Sequence, residues 1–119
     1  MIPAENVRDW RGRPVVDHDE AKIGELEAVY VDTADDEPAF ATVKIGAIFG
    51  RGHLVFVPLS GAVVTPDHVK VAFSRQLVRD APSIDPDGEL LAQDEPAVFA
   101  HFGLDYRAGV HGERRLARR

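Results

Sequence analysis

Cysteine is absent from this 119-residue sequence. That removes disulfide scaffolds, thiolate zinc sites, iron–sulfur clusters and cysteine nucleophiles together. No apolar run approaches the roughly 20 residues that a membrane-spanning helix requires. The first ten residues, MIPAENVRDW, lack the basic and apolar regions of a signal peptide. There is no internal repeat and no low-complexity segment. Basic residues are in the minority, 14 against 20 acidic, for a net charge of −6. Such a balance argues against a general nucleic-acid coat protein. These absences predict a soluble, cytoplasmic domain. The hydrophobic fraction of 45% suffices for one core and argues against wholesale disorder.

Catalytic signatures are also missing. Five histidines (His18, His53, His68, His101 and His111) show no i,i+4 pairing on a predicted helix, and HExxH does not occur. Ser60 lies in Leu-Ser-Gly without the GxSxG elbow that would expose it as a nucleophile. The glycine-rich loop Gly46–Gly52, with Arg51, matches neither phosphate-binding fingerprint, and no helix follows it. Asp32, Asp35, Asp36 and Glu37 crowd a turn, as acidic hairpin tips commonly do. Ser83–Asp94 places Asp85 and Asp87 at positions 3 and 5 of an EF-hand register and Gly88 at 6. Ser83 at the first position and Asp94 at the last remove the carboxylate and the bidentate Glu that such loops need. Asp85, Asp87 and Asp94 are thus weak metal candidates, for millimolar binding at best. No enzyme activity and no cofactor are expected.

What is present is apolar alternation, with β-branched residues, over positions 13–71. Arg13–Val16, Ile23–Asp32, Ala39–Gly46, His53–Pro58, Val63–Thr65 and Val69–Phe73 read as strands. In Ala39–Gly46, Ala39, Ala41, Val43 and Ile45 point one way and Phe40, Thr42 and Lys44 the other, the pattern of a half-buried strand. Asp17–Glu20 and Pro66-Asp67 read as turns. Two helical pieces follow. Ser74–Arg79 has Ser74 as N-cap and stops before Pro82. Asp94–Phe102 has Asp94 as N-cap, and Val98, Phe99 and Phe102 share one face. Gly103 suits the C′ position there, with Leu104 packing back. The expected fold is mainly β: five to six short antiparallel strands closed into a small barrel, with a short C-terminal helical extension. Closure would remove two exposed edges.

The ordered segments Val15-Val16-Asp17, Ile23-Gly24-Glu25-Leu26, Val29-Tyr30-Val31-Asp32, Pro38-Ala39-Phe40-Ala41-Thr42-Val43 and Phe56-Val57-Pro58-Leu59-Ser60-Gly61-Ala62 resemble the PRC-barrel family. That family takes its name from the H subunit of the photosynthetic reaction centre. It also supplies the C-terminal domain of the ribosome-maturation factor RimM. The continuation, Val78-Arg79-Asp80-Ala81-Pro82, Asp85-Pro86-Asp87-Gly88 and His101-Phe102-Gly103-Leu104, is similar to stand-alone bacterial members, and the likeness spans about residues 7–104. It implies a PRC-type barrel over residues 5–80, a loop and helix over 81–106, and a docking role without catalytic residues. The Ile23-Gly24 step permits tight turning into the long second strand, where a side chain would crowd the barrel.

Charge sets the tail apart. Residues 1–106 carry 19 acids and 9 bases, whereas 107–119 carry five arginines and Glu113 alone. This segment reads as a flexible basic tail, or as one folded back on the acidic body. The leading expectation is a protein-interaction or adaptor domain that forms a homodimer. Val98, Phe99 and Phe102 would cover either their own barrel or a second copy. A second expectation is RNA or ribosome association through Arg114, Arg115, Arg118 and Arg119, with peripheral attachment to anionic lipid left open. A third is a weak metal or small-ligand sensor at residues 83–94.

Overall fold

A computed structural model describes residues 4–46, 52–109, 111 and 113–119. A 3-10 helix, Ala4–Trp10, precedes β1 (Pro14–Val16), β2 (Lys22–Asp32), β3 (Glu37–Ile45) and β4 (His53–Pro58). Then come β5 (Val63–Val64), β6 (Val69–Lys70), α1 (Arg75–Arg79) and β7 (Ser83–Ile84). A 3-10 turn, Ala92–Asp94, leads into α2 (Glu95–His101), and β8 (Leu116–Arg118) ends the chain.

The sheet runs β5-β6-β1-β2-β3-β4-β7, and β8 pairs with β2 off that path. β1 pairs with β6 in parallel, and the other pairings are antiparallel. Two expectations are corrected here. There are eight strands among the described residues rather than five to six, and they are not all antiparallel. Nor do hydrogen bonds close the sheet, since β5 and β7 end its path unpaired with one another. The edge problem is met by brevity instead. Each terminal strand is two residues long, too short to template another chain.

Alternation located the long strands but understated their burial. Phe40 and Thr42, expected on an open face, are 2% and 0% exposed. On β2, Ala28, Val29, Tyr30 and Val31 are all buried in succession. The second face is covered by segments whose apolar residues are sparse in sequence. The N-terminal 3-10 helix packs on β2 and β3 and contributes buried Val7 and Trp10. Helix α2 brings Phe99 against Phe40, with ring centroids 5.0 Å apart. α1 packs on β2 and β4.

Both helices show local logic. Ser74 caps α1, its Oγ accepting from the Leu77 amide at 3.2 Å. α2 ends as a Schellman turn. Gly103 takes φ of +72°, and the Leu104 amide returns to the Phe99 carbonyl at 2.9 Å. Asp94 makes no side-chain capping bond. The 3-10 turn before it already binds its own amide to the Leu91 carbonyl, so α2 has no isolated start to cap.

One acidic side chain ties distant parts of this frame. Asp17 Oδ1 accepts from the amides of Asp19 and Ala21, both at 2.9 Å, and Oδ2 accepts from Arg75 at 3.2 Å. The carboxylate thereby fixes the β1–β2 turn and joins it to the first residue of α1. The Ala21 amide, foremost, holds its pKa below the usual 3.8, against an opposing effect of burial. A depressed carboxylate pKa contributes stability above the unfolded-state value, and that contribution is lost as pH falls through the folded value. Asp17→Asn should therefore be less stable than wild type at neutral pH. The gap between their urea midpoints should narrow below about pH 4. A gap that stays constant from pH 7 to pH 3 would contradict this role.

Candidate interaction groove

Where β3 begins and β4 ends, the chain leaves an open groove of ≈ 630 Å³ against α2. Phe40 and Pro58 are cross-strand partners at this point. Beyond β4 the Leu59 amide returns to the Ala39 carbonyl at 2.9 Å and the Ala62 amide to Leu59 at 3.0 Å. Gly61, at φ +76°, makes the turn possible. Buried Phe40 and Leu59 lie beneath, half-buried Phe99 and Leu104 form the helical wall, and Glu37 and Asp105 stand exposed at the rim. No titratable cluster converges in it. Of the helix residues expected to dock, only Phe99 reaches this surface. Val98 is 0% exposed and Phe102 is 7%, its ring 5.0 Å from Phe73. These two are core residues, so α2 covers its own sheet rather than that of a second copy.

Of the two readings of residues 107–119, the described residues of the tail take the one folded back on the acidic body. Leu116–Arg118 form β8 along Tyr30–Asp32 of β2, on the side that β1 has left. Arg115 forks onto Asp32, Nη2 lying 2.8 Å from both carboxylate oxygens. Arg118 pairs with Glu27 at 2.6 Å, Arg119 with Asp36 at 2.7 Å and Arg114 with Glu89 at 3.5 Å. Partly exposed pairs contribute little singly. Two buried groups fix the segment: Leu116, 1% exposed in the core, and Glu95, likewise 1% exposed.

Glu95 opens α2, where the sequence gives no hint of burial. Its Oε1 accepts from the Arg115 amide at 2.9 Å and from Tyr106 Oη at 2.6 Å, and its Oε2 from the Leu116 amide at 3.1 Å. Tyr106, packed edge-on against Phe99 at 4.9 Å, has its pKa pushed up to about 12, first by burial and then by the Glu95 hydrogen bond. One carboxylate thus clasps the helix, the connecting segment and the last strand. The only advance signal was charge, acidic residues at 32–37 facing an arginine-rich end.

The remaining candidates do not assemble. Asp85, Asp87 and Asp94 are each exposed, and Asp85 sits in a turn closed by the Gly88 amide at 2.9 Å. Among the described residues no group of three or more His, Cys, Asp or Glu is placed to hold a metal ion. Residues 47–51, including Arg51, lie outside the described residues. No helix among the described residues is long and apolar enough to cross a membrane.

Comparison with protein families gives a match to the PRC-barrel domain over residues 3–78, more than half of the chain. No curated protein matches it. The matched segment ends inside α1, so the groove forms where it meets the residues that follow, and the Glu95 clasp lies entirely beyond it.

Proposed function

Because the chain belongs to the PRC-barrel domain family, we propose that it is a non-catalytic protein-interaction domain that acts by presenting surface. On this reading the family's barrel corresponds to the unclosed sheet, whose path ends at the two-residue strands β5 and β7. One observation carries the reading. The open groove against α2 has an apolar floor and no convergent acid, base or nucleophile, so it suits a partner's side chains better than a reaction.

We rank the alternative of an arginine arm for RNA second on the same geometry. Arg114, Arg115, Arg118 and Arg119 each already lie against a carboxylate.

A photo-crosslinking residue placed at exposed Ser60, on the groove, tests the proposal in cells against the same residue at exposed Asp19, outside it. Discrete heavier adducts from position 60 alone are expected. Equal adducts from both positions, or none from position 60, would overturn it.

A further inference from the structure

We infer that the groove receives an extended segment of another protein in which an apolar side chain is flanked by arginine or lysine. This rests on the interaction reading above and names its partner by chemistry.

The first argument is the balance of donors and acceptors. The β3 and β4 wall carries Pro38 and Pro58, neither of which has an amide hydrogen. The Leu59 and Ala62 amides are already spent on Ala39 and Leu59. An added β-strand or an anion would therefore find few backbone donors along this wall. Beside the Ser60 hydroxyl and the turn amides, the polar side chains that remain are carboxylates. The Glu37 and Asp105 carboxylates stand at the rim without a hydrogen bond or ion pair among the described residues. A ligand that satisfies them brings donors and positive charge.

The second argument comes from the neighbouring surface. Carboxylates on the same β2–β3 hairpin are answered in cis. Asp32 and Asp36 take Arg115 and Arg119, while Leu116 between those arginines buries in the core. The chain thus already binds, on this hairpin, a segment in which apolar Leu116 and Ala117 are flanked by arginines. That segment is committed to β2 and does not reach Glu37 or Asp105 in any bond. The rim pair remains unanswered on a chain of net charge −6, which also draws a cationic partner at long range. The volume of ≈ 630 Å³ lies within the range that holds a few side chains.

The test uses the full chain and two synthetic peptides, Gly-Arg-Phe-Arg-Gly and Gly-Glu-Phe-Glu-Gly, followed by amide shifts and fluorescence anisotropy. The basic peptide should shift Ser60, Gly61, Ala62 and Asp105 saturably, and the acidic one should not. Glu37→Gln with Asp105→Asn should weaken binding about tenfold and leave the remaining amide spectrum unchanged. Ser60→Trp should abolish it by filling the groove.

Equal binding of both peptides would overturn the charge argument. Shifts confined to β2 and β8 would show displacement of the tail instead and would also overturn the proposal. A doubled mass with groove shifts before any peptide is added would assign the surface to a second copy. If Ser60 adducts form in cells while the basic peptide fails to bind, this inference falls and the interaction reading stands.

Discussion

Glu95→Ala is expected to lower the free energy of unfolding by about 4 kcal/mol, a large effect for a residue near the end of a helix. The side chain is 1% exposed and accepts three hydrogen bonds, from Tyr106 Oη and from the amides of Arg115 and Leu116. Removing the acceptor leaves these donors without their partner, the Leu116 amide fully buried and the other two partly so, each at a cost of about 1–3 kcal/mol, less whatever water recovers. Loss of the two amide contacts also frees β8 from α2, so Leu116 no longer has a fixed place in the core. Glu95→Gln keeps the volume and one acceptor oxygen but aims an N–H at a donor, so roughly half the loss is expected. Urea unfolding at pH 7 measures both. Hydrogen exchange should show the Leu116 and Arg118 amides opening well before those of β3. An alanine variant within about 1 kcal/mol of wild type would show that the clasp is not what holds the tail.

Gly24→Ala should destabilise the fold by about 3 kcal/mol, for a reason independent of the tail. A Cβ at position 24 would lie 2.3 Å from the Lys44 carbonyl oxygen and 2.8 Å from Val43 Cγ1. The nearer atom is backbone in the longest strand pair of the protein, so no rotamer change relieves the contact. β2 and β3 must separate at the point where β1 also pairs, Val15 lying opposite Gly24. The groove lies at the other end of β3, against α2, so binding there should be unchanged at temperatures where the variant is folded. A full urea titration decides the first part, and a loss below about 1 kcal/mol would mean that the strands yield easily.

These two positions differ in how readable they were. Gly24 stood out as a glycine at the start of a long strand, where the chain turns tightly and a side chain would be crowded, a local cue with a local cause. Glu95 offered no such cue. A glutamate in the first turn of a helix ordinarily faces water and favours the helix dipole. Only the return of the chain to β2 makes it a buried acceptor. Val98 and Phe102 were legible as an apolar face, but that face fits a partner copy and the chain's own sheet equally well until the sheet's position is known. Phe40 and Thr42 were assigned to an open face because alternation reports which side a residue takes, not what covers that side.

Family membership is determined by the sequence alone through an ordered series of segments over residues 3–78, and the long strands, the Ser74 cap and the Gly103 stop through neighbours within a few positions of chain. The open sheet, the burial of both its faces, the groove and the seating of β8 are decided by tertiary structure. Their contacts join residues far apart, as Arg115 and Asp32 are at a separation of 83 positions. A three-residue strand such as Leu116–Arg118 has no periodicity to display. Its stability comes from the edge it completes, which exists only after the rest of the chain has folded.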